Sequence, residues 1–451
     1  MLLSPTIQDW LPENHLARFI ADVAEQLDLS EILKEYRRRD GRGQEGYHPL
    51  MLTRLLLYGY AVGVSSSRVI ERKTYEDLAF RYLAADQHPD HDTIATFRQV
   101  HLERLAGLFT QALRLCQEAG LVKLGHVAID GSKLQANASK HKAMSYGRMV
   151  ETEQKLQAEV EEMLRRAQAT DEEEDQRYGK GKRGDELPEE LARRESRLKK
   201  IREAKAALEA EARAEAEQKK AAAEAKTAER RAQHERTGKK PGGHEPEVPD
   251  PEKAVPKESA QRNFTDPESR IMPDGGRKGS FVQGFNTQIA VDSTAQFIVA
   301  AAVTQETNDK RQLGPMLQQI RQNLGAKPAA VSADTGYFSE EQVTGEHAQG
   351  IELYVATGKQ KHGEATVADS PVADDTALER MKQKLKTEAG HEIYKMRKAI
   401  VEPVFGQIKE WRGYRRFGLR GLNKVSAEWT LICMTHNLSK LFRSGWNPRM
   451  A

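Results

Sequence analysis

From about residue 145 to 240 the chain has very little to bury. Met149, Leu156 and Met163 recur every seven residues, with Val160 and Ala167 offset between them. After a charged, glycine-bearing break over Asp171–Asp185, Leu187, Ile201 and Leu208 share one heptad position, and Leu191 and Leu198 share the other. Most of what lies between is Glu, Lys, Arg, Gln and Ala. A stripe this thin holds a helix only against a partner of the same kind, so the spacing predicts an antiparallel helical hairpin. The arm beyond the seam (about 209–236) should continue as solvated helix, and disorder is expected from about 237 to 260, where Gly and Pro cluster. This segment accounts for a composition of 30% charged and 38% apolar residues. The globular parts therefore lie on either side of it, and 451 residues suffice for two or three domains.

Residues 1–120 read as helical. Pro49 stands where a first turn would begin, ahead of Leu50, Met51, Leu52, Leu55, Leu56, Leu57 and Tyr60. Gly63 and Ser65–Ser67 break that helix, shorter ones are expected near 66–73 and 75–84, and Asp92 should cap a long one over 93–119. A small bundle with Arg54, Arg68, Arg72, Lys73 and Arg98 outward is a candidate DNA-binding domain.

The character changes at Leu124. His126–Asp130 is a short apolar run that ends in an acid before Gly131, as a buried strand delivering a carboxylate to its C-terminal edge would. Past the hairpin, Gln283–Asp292 and Phe297–Thr304 read as strands and Leu313–Leu324 as a helix. Ala329–Asp334 is another apolar run ending in an acid, and Ile351–Thr357 a further strand. Residues 366–390 are polar, and 391–442 are helical except across Gly413–Gly421. Strands alternating with helices make this an α/β core. It is entered over 121–140, interrupted by the charged hairpin and linker over 141–260, and completed over 261–451.

Three acids stand out by position. Asp130 and Asp334 each end a buried-looking strand, and Glu402 sits in an amphipathic basic helix among Ile400, Val401, Val404, Phe405 and Ile408. Cutting a phosphodiester without a covalent intermediate calls for two divalent ions, and Mg²⁺ or Mn²⁺ takes hard carboxylate oxygens. Two strand-end aspartates followed by a helical glutamate meet that need. At 100° per residue, Lys409 lies about −20° and Lys398 about −40° from Glu402, so both share its face and could hold a phosphate. Asp292 fits a hairpin turn, Asn308 and Asp309 a helix cap, and His126 and His436 isolated packing positions.

The segments Ala-Ile-Asp-Gly-Ser-Lys-Leu-Gln-Ala-Asn-Ala-Ser (128–139), Ser-Ala-Asp-Thr-Gly-Tyr-Phe-Ser (332–339) and Tyr-Lys-Met-Arg-Lys-Ala-Ile-Val-Glu-Pro-Val-Phe-Gly-Gln-Ile-Lys (394–409) resemble the catalytic blocks of DDE-type bacterial insertion-sequence transposases. Residues 47–118 resemble the helical domain that precedes that core. The resemblance implies a ribonuclease H-like catalytic core with an N-terminal helical domain and an inserted long helical hairpin. It implies that Asp130, Asp334 and Glu402 bind the metal, as a pair of ions, and that Lys409 contacts DNA. The related pattern spaces Tyr, Arg and Glu so that Tyr394 and Arg397 each fall one position early. Either a local bulge restores them or Lys398 takes the arginine's place, and the face geometry favours Lys398. The implied partners are double-stranded DNA, both transposon ends and target, and further copies of the chain in a dimer or larger assembly. The implied location is the bacterial cytoplasm, at the nucleoid.

A basic surface supports the same expectation. Lys409, Arg412, Arg415, Arg416, Arg420 and Lys424 are interleaved with Trp411, Tyr414 and Phe417, residues that can clamp phosphates and stack on bases. Arg262, Arg270, Arg277 and Lys278 form a second basic loop. The net charge of +3 adds nothing by itself. Cys116 and Cys433 stand in apolar helical contexts and suit packing in a reducing compartment, and no apolar run is long enough to span a membrane. A nuclease that cuts without joining, and a non-catalytic DNA-binding remnant, are the alternatives on the sequence alone.

Overall fold

The computed structural model describes residues 6–37, 46–178, 189–238, 246–274, 279–358 and 376–449. They form two compact units, Met1–Asn137 with Met272–Ala451, and Ala138–Ile271. The first unit begins with α1 (Ile7–Trp10), α2 (Leu16–Gln26), α3 (Ser30–Arg37), α4 (Pro49–Ala61), α5 (Ser67–Glu76), α6 (Leu78–Leu83) and α7 (His91–Glu118), followed by β1 (His126–Gln135). Pro49 is in the first turn of α4, and the His48 ring accepts from Leu50 N–H in front of it. The long α7 is capped by Asp90, two residues before the expected Asp92, because the Asp90 carboxylate reaches Thr93 N–H at 2.7 Å.

The second unit holds β2 (Ala143–Ser145), α8 (Tyr146–Tyr178), α9 (Glu189–Thr237) and β3 (Gln261–Asn263). Met149 and Leu156 of α8 pack with Leu198, Ile201, Ala204 and Leu208 of α9. Glu153 pairs with Arg202 and Lys205, and Glu159 with Arg194, which sets the helices antiparallel in the expected register. The expected break begins later than Asp171, because α8 continues to Tyr178; residues 179–188, Leu187 among them, lie outside the described residues, as do 239–245 of the stretch expected to be disordered. The rest of that stretch, 246–260, is ordered and includes a 3₁₀ turn at Pro251–Lys253. Arg262 and Arg270 both turn to Glu211 on α9, at 2.6 and 3.1 Å, so the second basic loop is partly neutralised within its own unit. Arg277 and Lys278 lie outside the described residues.

The chain returns to the first unit through β4 (Arg270–Pro273), then β5 (Phe281–Asp292), β6 (Ile298–Thr304), α10 (Leu313–Leu324), β7 (Ala330–Ala333), α11 (Glu340–Thr344), β8 (Glu352–Val355), α12 (Ala377–Lys386), α13 (Glu388–Gly406) and α14 (Leu422–Arg443). The polar stretch 366–390 contains α12, which Thr376 caps and whose Met381 and Leu385 are buried on one face. The sheet runs β6–β5–β1–β7–β8, with β4 also on β5. β1, β5 and β6 are antiparallel neighbours, and β7 and β8 add parallel to β1. β1 is central, which is why Val127, Ala128 and Ile129 are all fully buried. This mixed sheet with helices is the ribonuclease H-like α/β architecture expected from the sequence.

The N-terminal helices are built onto this core through α14, which packs against β6, α4 and α7. Asn437 brackets Ile298, accepting from its N–H and donating to its carbonyl, while the Trp429 indole N–H donates to the Gln288 carbonyl. Arg412 completes the joint. Its guanidinium is buried and donates to the carbonyls of Ile432 and Tyr60 and to Thr435 Oγ1. Replacing Arg412 with Ala removes these buried hydrogen bonds, leaving the Tyr60 carbonyl to Tyr414 O–H and the Ile432 carbonyl to Thr435 O–H, and should lower unfolding stability by about 2–4 kcal/mol. Urea denaturation measures this, and a loss well under about 1 kcal/mol would show that the joint does not depend on Arg412.

Candidate active site

β1 and β7 pair in parallel from His126–Ala330 to Ile129–Ala333, and the next residue on each strand is an aspartate. The fold thus brings Asp130, midway along β1, beside Asp334 at the end of β7. β7 stops at Ala333, and the chain turns through Asp334, whose Oδ1 accepts from Gly336 N–H at 2.8 Å, into a 3₁₀ turn over Thr335–Tyr337. β1 continues to Gln135 against β5, until an isolated parallel bridge joins Gln135 to Arg416.

Asp130 is largely buried. Its Oδ1 accepts from Gly131 N–H at 2.8 Å and its Oδ2 from Arg397 Nη1 at 3.0 Å. Burial pushes the carboxyl up to about 6; the Arg397 charge pulls it down and the nearby Asp334 charge pushes it further up. Arg397 is buried beneath α13, with its guanidinium carbon 5.8 Å from the Tyr394 ring. The choice of Lys398 in the arginine's place is therefore corrected. Lys398 is exposed, and Arg397 is the residue that reaches Asp130.

Lys409 Nζ donates to Ser132 Oγ and, at 3.1 Å, to the Lys133 carbonyl. Asp130 and Ser132 alternate onto one face of β1, so Arg397 and Lys409 approach the same side of the strand. A regular helix would separate them by about 120° over twelve residues. The turn at Gln407–Trp411 is instead π-helical, with Arg412 N–H bonded to the Gln407 carbonyl. A π turn takes up an extra residue and rotates the later side chains back toward the Arg397 side. Equal steps of a regular helix therefore misplace Lys409.

Glu402 lies five residues from Arg397, about 140° around α13, and is exposed. Among the described residues, no three His, Cys, Asp or Glu side chains stand together as a set able to hold one ion. The acid that packing does bring to the strand ends is Asp309, read from the sequence as a helix cap. α10 is instead preceded by Gln312, and Asp309 Oδ1 accepts from Asn286 Nδ2 and Gln288 Nε2, each at 2.7 Å. Tyr337 O–H donates to Gln288 Oε1, which closes a buried polar layer. Its sequence signal was available: Asn286 and Gln288 interrupt an apolar strand, and buried amides require partners.

The remaining basic residues divide by burial. Arg412 is occupied inside the fold, which withdraws it from DNA contact. Arg415 is exposed and pairs with Glu410, and Arg416 Nε donates to the Ala136 carbonyl beside the bridge to β1. Tyr414 and Phe417 are buried, whereas Trp411 is exposed. Asp292 binds the backbone of Lys123, Leu124 and Thr294, and His126 shares a 2.8 Å hydrogen bond with Ser332 Oγ; both serve the fold.

Residues 254–438 match the family model of the transposase DDE domain, and residues 5–100 match a transposase domain (DUF772). The chain belongs to the DDE-type transposases. No curated protein and no solved structure matches it. The DDE match contains Asp309, Asp334, Arg397 and Glu402 but starts after Asp130, which joins them only through the place of β1 between β5 and β7. Membership implies DNA binding and places the transposase in a family of nucleic-acid-cleaving enzymes that depend on divalent metal. Among the described residues, no helix is long and apolar enough to cross a membrane.

Because the folded-state value of Asp130 is raised from 3.8 to about 6, protonation favours the metal-free fold. That contribution is complete below the unfolded value and is lost as pH rises through the folded one, a change of roughly 3 kcal/mol. In chelator, Asp130→Asn should flatten the fall in unfolding stability between about pH 4 and pH 7. An unchanged slope would mean that Asp130 titrates normally.

Proposed function

We propose that this transposase cuts DNA at the ends of its own element and joins the freed ends to target DNA. The observation that supports this most is the pair Asp130 and Asp334, on the adjacent parallel strands β1 and β7, the second of which lies in the matched transposase DDE domain. In the first step a water oxygen bonds to phosphorus and the bond to the 3′ oxygen breaks, leaving a 3′-hydroxyl on the element and a 5′-phosphate on the flank. In the second, that hydroxyl attacks a target phosphodiester and displaces a target 3′ oxygen. Each step forms and breaks one P–O bond, and no side chain becomes covalently attached.

The donor chemistry fits Mg²⁺ or Mn²⁺. Asp130 and Asp334 offer hard oxygens, and the site already accommodates positive charge in the Arg397 guanidinium. Bound ions, two in this proposal, would supply activation of the nucleophile and neutralisation of the phosphate. Asp130 and Asp334 would hold them, with Glu402 as the third acid of the family resemblance, brought in from its exposed position on α13. Arg397 orients Asp130 and keeps its charge favourable, so that less proton must be displaced by an entering cation. Tyr394 covers Arg397, and Lys409, beside Ser132, is placed to contact a phosphate. Lys398, Arg415 and Arg416 are proposed to bind the flanking backbone.

We assign residues 1–120 to DNA docking. Arg54, Arg72 and Lys73 there pair with Glu25, Glu76 and Asp77, and such partly exposed pairs exchange readily for phosphate contacts. Residues 121–140 and 261–451 would form the catalytic core around the 141–260 insertion, with two or more copies acting on paired ends.

The test is Mg²⁺-dependent cleavage and joining of DNA carrying the element's ends. Asp130→Ala, Asp334→Ala and Glu402→Ala should each reduce cleavage by at least about 10³-fold while end binding survives. Full cleavage by the Glu402 variant would remove that residue from the site, and cleavage without joining would make the enzyme a nuclease.

A further inference from the structure

The strand ends carry a second internal cation besides Arg397. Lys133 follows Asp130 by three residues on β1, so its side chain leaves the opposite face, across from Asn286 of β5. Its Nζ lies 3.8 Å from Asp309 Oδ1, with side-chain exposures of 16% and 19%. That oxygen already accepts from Asn286 and Gln288. The other oxygen, Oδ2, borders the same space as Asp334: a Cβ placed on Gly336 would meet Asp334 Oδ1 at 3.0 Å and Asp309 Oδ2 at 3.5 Å.

The glycine after Asp130 serves the same space. A Cβ on Gly131 would stand 2.5 Å from Gln288 Nε2 and 2.9 Å from Asp309 Oδ1. Small residues next to both aspartates thus leave room for the Asp309 carboxylate. The charges of Asp309, Asp334 and Asp130 all act on the Lys133 ammonium and oppose the effect of its burial. The two cations are held differently. Arg397 makes a 3.0 Å hydrogen bond to Asp130, whereas the 3.8 Å separation of Lys133 and Asp309 is a loose ion pair.

We infer that Lys133 is the resident counter-ion of the carboxylate site, that it gives way when a divalent cation enters, and that Asp309 then provides a carboxylate to that cation. This rests on the proposed metal-binding role of Asp130 and Asp334. Lys133 would deter metal from a site that is not yet assembled, because two cations cannot share the same acids without strong repulsion. Asp309 would add a carboxylate from the sheet side, next to Asp334.

The experiment is Mn²⁺ binding to the full chain without DNA, followed by electron paramagnetic resonance of the free ion. Lys133→Met and Lys133→Gln should bind Mn²⁺ about tenfold more tightly, Lys133→Arg should stay near wild type, and Asp309→Asn should bind about tenfold more weakly. Asp130→Asn and Asp334→Asn serve as reference variants and should also bind weakly. If the reference variants weaken binding but both neutral Lys133 variants bind like wild type or worse, the counter-ion inference is overturned and the metal reading stands. Unchanged binding by Asp309→Asn in that setting removes Asp309 from the cation's reach and overturns that part. If the reference variants bind normally, the metal assignment itself fails and the inference falls with it. Circular dichroism of each variant separates these results from misfolding.

Discussion

A carboxylate buried in a central strand has to meet a cation, and Arg397 meets Asp130. Much of the α/β core's arrangement depends on that pairing. It requires α13 to lie across the strand ends with its Arg397 side inward, which turns Glu402 outward. It also makes the π turn after α13 useful, because Lys409 can then return to the same face of β1 and bond Ser132. Breaking a buried pair by removing one partner commonly costs about 3–5 kcal/mol, which is a substantial part of a domain's stability.

The second dependence is on α14. Buried residues occur nearly all round it, because the sheet lies on one side and α4 and α7 on another. The N-terminal helices and the α/β core consequently form one compact unit. The hairpin solves a separate problem. Its helices are held to each other by a seam of Met149, Leu156, Leu198, Ile201 and Leu208 and by cross-helix ion pairs.

The strands, the hairpin and the two aspartates that follow apolar runs are legible in the sequence because each rests on local periodicity or on a local succession of apolar run and acid. The cap of α7 falls two residues from its expected place because Asp90 and Asp92 carry the same local signal. α12 escapes a reading of pattern because its apolar content is confined to a few residues on one face. Asp309 resists assignment for a different reason: its partners Asn286 and Gln288 lie more than twenty residues away in sequence. Arg412 resembles a surface cation because composition does not show which guanidinium is enclosed.

The sequence by itself determined the class of fold, the inserted hairpin and the two acids, Asp130 and Asp334, that follow apolar strand runs, although β1 continues past Asp130 to Gln135. These features depend on side-chain period and on short-range chain geometry. Only the tertiary structure decided which cation meets Asp130, which acid stands beside Asp334, and which arginines remain outside. Those outcomes depend on burial and on the rotation of one element against another, and a single π turn or a single buried amide is enough to change them.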